Sequence, residues 1–288
     1  MTQSWGASFM TPIQDPRSKI QNLTRVKTLV MGVINVTPDS FYDGGAIQGP
    51  EDALARARQM IQDGADLLDV GGESSRPGAD AVTQQEERDR VLPVLEALEP
   101  LGFPVSVDTY RAETARRALA LGACMVNDIT ALRHDPELAG VIAEAGCDCV
   151  LMHMQGTPRT MQQAPHYDDV VGDISAFFEE RIKYALAHGI AEEAIWLDPG
   201  FGFGKTVEHN LTILRRLAEF RKLGRPILIG TSNKSTIGKV LGLTVDDRTE
   251  GTAATVAIAI AHGADCVRVH DVRAMARVAK MSDAIMRA

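Results

Sequence analysis

From Leu29 to Ile34 the chain carries no polar side chain, and it then switches abruptly to Asn35, Thr37, Asp39, Ser40 and Asp43 before Gly44-Gly45. Such a run reads as a buried strand that delivers polar groups at its C-terminal end into a loop. The same event recurs along the chain. Strands are predicted at Ala65–Val70, Pro104–Asp108, Ala123–Asn127, Asp148–His153, Ala194–Asp198, Pro226–Gly230 and Cys266–Val269. Between them, helical spacing of apolar residues predicts helices over Pro50–Gly64, Gln84–Leu98, Arg111–Leu121, Pro136–Ala145, Asp168–Ala187, Val207–Leu223, segments of Thr236–His262, and Val272 onward. Pro93 inside the second of these is expected to kink it. Eight strand–helix alternations predict an α/β fold, a TIM (β/α)8 barrel with its active site at the C-terminal ends of the strands. Gly-Ala-Asp at 64–66 and 263–265, echoed by Gly-Ala-Cys at 122–124, repeats one helix-to-strand junction. A doubly wound open sheet alternates in the same way, but the number of units favours the barrel, as does the lack of a Gly-x-Gly-x-x-Gly after the first strand. Residues 1–27 read as an irregular N-terminal extension and 28–288 as a single domain.

Composition narrows the function classes. The chain has 288 residues, 45% of them hydrophobic, with a net charge of −8. That balance argues against nucleic acid or an anionic membrane surface as partner. No secretory leader or membrane-spanning run is expected, and the chain reads as cytoplasmic. Four cysteines, at 124, 147, 149 and 266, lie at or just before apolar strands. Cys147-Asp148-Cys149 lacks the spacing of a zinc pair, so buried thiols are the better reading.

The candidate chemistry collects at the predicted strand ends: Asn35, Asp69, Glu73, Asp108, Asn127, Asp128, His153, Asp198, Ser232, Lys234, Arg268 and His270. One such group is an ordinary structural polar residue. A polar group after nearly every strand calls for a site. Asp108, Asn127 and Asp198 are short acceptors suited to a flat heterocycle that presents N–H donors. Lys234, Arg268, His270, Asn35 and Arg76 suit an anion such as phosphate. Gly200–Thr206 approaches a nucleotide-binding loop, but Pro199 occupies the place of its first glycine, so an ATP site is not expected. Phe201 and Phe203 read instead as pocket walls.

These residues resemble the bacterial dihydropteroate synthase family. Matching stretches are Met31–Gly45, Asp69–Gly78, Val105–Thr109, Val126–Ile129, Leu151–Gln163, Leu197–Lys205, Gly230–Gly238 and Arg268–Val272, in family order. The resemblance implies a pterin-binding barrel that joins 4-aminobenzoate to 6-hydroxymethyl-7,8-dihydropterin diphosphate, with Mg2+ as cofactor. It implies that Asp108, Asn127, Asp198, Phe203, Lys234 and Arg268 hold the pterin. Asn35, Arg268 and His270 would meet the diphosphate, with Asn35 near the metal. Phe41, Ser75, Arg76, Pro77 and Ser232 would form the aminobenzoate pocket once the loops after strands one and two close. Loss of diphosphate leaves a cation on the pterin methylene, and Asp43 is the acid expected near it. Asp43, Asp108, Lys234 and Arg268 are thus the catalytic candidates.

The resemblance also implies a homodimer through the last helices. Three residues depart from the family: Asn233 stands where an arginine is usual, Ser75 where threonine is frequent, and Tyr42 where a small residue is common. An extended Ser232–Lys234 segment would turn Asn233 away from the ligand. Rival readings are a corrinoid-linked pterin methyltransferase domain, a Schiff-base aldolase using Lys234, and a non-catalytic pterin binder. The loop residues 35–45 and 71–79 and the Arg268/His270 pair speak against them.

Overall fold

The computed structural model describes residues 26–37, 49–76 and 78–287. Its strands are β1 (Leu29–Asn35), β2 (Leu67–Gly71), β3 (Val105–Asp108), β4 (Met125–Asp128), β5 (Asp148–Met152), β6 (Ile195–Asp198), β7 (Leu228–Ile229) and β8 (Cys266–Val269). Helices α1 (Pro50–Asp63), α2 (Gln84–Leu98), α3 (Ala112–Ala120), α4 (Leu138–Ala145), α5 (Val170–Ala187) and α6 (Val207–Arg215) alternate with them. Then α7 (Ser235–Leu241) and α8 (Thr249–Ala261) fill the last crossover, and α9 (Val272–Met286) follows β8.

All pairings are parallel, in the order β6-β5-β4-β3-β2-β1-β8-β7. A bridge between Leu197 and Ile227 joins β6 to the start of β7. The cylinder is therefore closed, and the expected (β/α)8 barrel is the fold.

Alternation along the strands explains what fills this barrel. Leu29, Met31, Leu67, Met125, Val150, Trp196, Leu228 and Cys266 belong to one buried cluster, drawing a residue or two from nearly every strand. The intervening residues, such as Val30, Leu68, Val107, Val126, Leu151, Leu197 and Val267, join the larger core beneath the helices. Moving up the inward register, apolar residues give way to Asp69, Asp108, Asn127, Asp198 and Arg268. One parity thus places packing at one end of the barrel and chemistry at the other.

Local signals set the helix ends. Pro50 opens α1 ahead of Glu51 and Asp52, and Gly64 closes it in a left-handed conformation. Thr83 caps α2, accepting from the Glu86 N–H, and the helix runs on through Pro93 to Leu98. The predicted helix Val207–Leu223 is instead two pieces, α6 and a 3-10 segment Leu217–Leu223, broken at Arg216. All four cysteines are buried and unbridged, and burial pushes the Cys149 and Cys266 thiols up. No helix among the described residues is long and apolar enough to cross a membrane.

Candidate active site

The floor of the mouth is an ion-paired network on β2, β3, β4 and β8. Arg268 donates from Nε to Asp69 at 2.6 Å and from Nη2 to Asp108 at 2.9 Å. Asn127 donates to the same Asp69 oxygen at 3.1 Å, while the other Asp69 oxygen is buried without a partner. Burial pushes the Asp108 carboxyl up to about 7, against the pull of Arg268 and with help from Asp69. Burial also works against the Arg268 charge, but Asp69 and Asp108 outweigh it and hold the guanidinium protonated.

Asp198 ends β6, where it accepts from the Gly200 N–H at 2.7 Å, and burial raises it to about 6. The chain then folds tightly over the end of β5. Gly200 has φ +67°, and a Cβ there would lie 1.9 Å from the His153 carbonyl oxygen, so no other residue fits. Lys205 is buried under this loop, donating to the Phe203 carbonyl at 2.8 Å and lying 3.0 Å from His153 Nδ1. Burial lowers it to about 7 and, with Lys205 adjacent, takes His153 down to about 2. The glycine-rich loop is therefore closed around its own lysine and is no open phosphate cradle. Phe203 turns its ring to the mouth, where Lys234 Nζ stands 4.3 Å from the ring centroid. Burial, reinforced by Arg268, lowers Lys234 to about 8.

Above the floor opens a cavity of about 430 Å³. Asn35, Ser75, Arg76, Asp108, Phe203, Ser232, Lys234, Arg268 and His270 all line it. Ser232 Oγ and His270 Nδ1 are 2.9 Å apart, joining the ends of β7 and β8. Asn127 and Asp198 are buried, at 4% and 6% exposure, and are not among the lining residues. Phe41, Asp43 and Pro77 lie outside the described residues, as do Tyr42 and the rest of 38–48.

Several expectations need correction. Phe201 is 1% exposed and packs in the outer core, so only Phe203 is a pocket wall. Asp128 turns into its own loop, accepting from the Thr130 and Leu132 N–H groups, and His153 lies under Lys205. Neither lines the cavity, because each follows an inward-facing neighbour and so points outward. Asn233 is not in an extended segment. It occupies a turn with φ +57° and lines the cavity. Thr37, one of the polar residues that the sequence delivers after the first strand, lines the cavity, and sequence reasoning missed Ser74, Met161, Ser235 and Arg248 in its lining. Arg248 reaches it from the loop before α8 by donating to the Asn233 carbonyl at 2.8 Å, a contact no local spacing reveals.

The chain that builds this mouth matches known proteins along most of its length. Residues 31–270 match the family described as pterin binding enzyme. The chain is 48% identical over 263 residues to the dihydropteroate synthase of Synechocystis, covering 91% of each. The chain belongs to the dihydropteroate synthase family. The crystal structure of the Yersinia pestis dihydropteroate synthase with a sulfonamide drug complex superposes with a TM-score of 0.88 at 43% identity, covering 91% of this chain and 95% of that one. The Xanthomonas albilineans dihydropteroate synthase with 4-aminobenzoic acid gives 0.84 at 43%, covering 91% and 94%. Within the dihydropteroate synthase frame, Arg268 bonded to two carboxylates is the feature that sequence alone does not show.

Proposed function

We propose that this chain joins 4-aminobenzoate to 6-hydroxymethyl-7,8-dihydropterin diphosphate in the cytoplasm, forming 7,8-dihydropteroate and releasing diphosphate. The observation that carries the reading is the division of one cavity by charge. Asp108 lines the cavity, with Asn127 and Asp198 buried at the ends of β4 and β6, and Lys234, Arg268, Asn35 and His270 line it as well. Three acceptors suit the N–H edge of a pterin, and the cations suit a diphosphate. Ser75, Arg76 and Ser232, also in the cavity, are assigned to the aminobenzoate, with Phe41 and Pro77 from the adjoining loops.

The reaction breaks the C–O bond between the pterin methylene and the diphosphate, the electron pair leaving on oxygen. The amine lone pair forms the new C–N bond, and the nitrogen then loses a proton. In this SN1-like course Arg268 and His270 steady the leaving anion, while Asp108, Asp198 and Lys234 fix the ring that carries the developing cation. Asp43 is assigned to the face of that cation. The aryl amine is neutral and needs positioning more than activation.

The family typically uses Mg2+, and the donor set here fits it. Asn35 brings a carbonyl oxygen to the mouth, and among the described residues no three His, Cys, Asp or Glu converge to make a dedicated ion cage. An amide oxygen beside an anionic substrate suits an ion that fills most of its shell with phosphate oxygens and water. Asn35 would hold it, and the ion would neutralise charge on the departing diphosphate.

The same reading includes a two-fold dimer. Ile258 on α8 and Met281, Ile285 and Met286 on α9 are exposed apolar side chains on helices that pack together. Ala254 and Ala261, exposed on α8, leave room for close approach.

The test is diphosphate release from the pterin diphosphate with Mg2+, with and without 4-aminobenzoate. Release that depends on the aryl amine is expected. Absence of release, or release indifferent to the amine, overturns the reading.

A further inference from the structure

The loop after β2, which carries Ser75 and Arg76, is held by a partly buried polar array outside the floor network. Glu73 accepts the Tyr110 hydroxyl at 2.8 Å on each carboxylate oxygen and Arg111 Nη1 at 2.7 Å. The same hydroxyl accepts from Arg111 Nη2 at 2.9 Å. Burial, and then the bond to Glu73, raise the Tyr110 hydroxyl far above neutral pH, so it stays a donor. Arg111 is only 8% exposed; it also donates to the Val82 carbonyl at 2.7 Å and pairs with Glu87 at 3.1 Å. Glu87, 1% exposed on α2, is fixed by the hydroxyls of Thr109 and Thr114, each at 2.7 Å.

Glu73 lines the cavity, whereas Tyr110 and Arg111 stand behind it. The array also touches the other subsite through the backbone. Tyr110 and Arg111 follow Asp108 by two and three residues, and a Cβ on Gly71 would sit 3.3 Å from the Asp108 Cβ. One turn after β3 thus sends Asp108 to the floor and Tyr110 and Arg111 to the loop. The bond between Asp108 and Arg268 does not pass through the array.

We propose that Tyr110 and Arg111 are positioning residues for the second substrate. By fixing Glu73 they set where the loop presents Ser75 and Arg76, and hence the affinity for the aryl amine. A loop pinned at its base loses less freedom when the ligand orders its tip. The proposal rests on the dihydropteroate synthase reading above.

Two variants test it. Tyr110→Phe keeps the ring against His134 and under the Arg111 guanidinium while deleting one hydroxyl. Glu73→Gln keeps the shape of the side chain and removes the charge that Arg111 meets. Each variant should raise the KM for 4-aminobenzoate at least about tenfold, the lower end of what one hydrogen bond to a charged group contributes. The kcat and the calorimetric Kd for the pterin diphosphate should stay within about twofold of wild type, since the floor bonds are untouched. An unchanged KM in both variants overturns the proposal, and so does an equal loss of affinity for both ligands, which marks a general scaffold. Wild-type enzyme that binds the pterin diphosphate but releases nothing with the amine overturns the functional reading itself. Wild-type turnover matched by both variants overturns only the positioning role.

Discussion

Replacing Arg268 by methionine keeps much of the side-chain stem and removes the one guanidinium that meets both Asp69 and Asp108. Asp69 is fully buried and Arg268 only 19% exposed, so water is poorly placed to take over. After the change Asn127 alone still donates to Asp69. Breaking a buried pair from one side costs about 3–5 kcal/mol. The destabilisation relative to wild type should therefore approach about 4 kcal/mol at pH 7. Urea denaturation of both proteins at that pH measures it. A loss below about 1 kcal/mol refutes the account of Arg268 as a buried counter-ion.

Two further outcomes follow from the site. If Asp108 and Asp198 hold the pterin, the pterin diphosphate should bind more tightly as pH rises from 5 to 7, because these carboxyls, raised to about 7 and about 6 by burial, accept ligand N–H groups more strongly once ionised; a calorimetric affinity that is flat over this range removes both from the pterin contact. Asn233→Arg should change kcat/KM by less than about tenfold while Lys234→Ala, which empties the place beside Phe203, loses considerably more; steady-state kinetics showing the reverse order excludes Lys234 from the reaction.

Much of the architecture was legible because each strand is an apolar run that ends where its polar residues begin. The last strand, Cys266–Val269, and the helix Gln84–Leu98 have the bounds read from the sequence. Strand parity carried more information than simple proximity to a strand end. Asn127 faces the barrel interior, so its neighbour Asp128 cannot, and the same holds for His153 after Met152. What stayed hidden depends on distant pairing: Glu73 with Arg111, or Arg268 with Asp69, 199 residues apart. Charge and spacing identify such groups as candidates, but only the closed barrel decides which of them neutralise one another before a ligand arrives.

Asn233 shows how a local rule misleads when its premise fails. Alternation holds along extended chain, but β7 ends at Ile229, and by Asn233 the backbone has entered the left-handed region. Asparagine tolerates that conformation better than most side chains, because its short amide can hydrogen-bond locally, a compensation for the shared Cβ crowding that an arginine lacks. The turn itself is fixed through main-chain atoms. The Asn233 N–H donates to the Thr252 hydroxyl at 3.4 Å, and its carbonyl accepts from Arg248 at 2.8 Å. Thr255, one helical turn further along α8, donates to Thr231 at 2.9 Å. These bonds hold Ser232 and Lys234 in place whichever side chain occupies position 233. The departure from the family pattern therefore falls where identity matters least to the geometry of the reacting groups. Any effect it has must act through the charge or bulk it presents to the cavity.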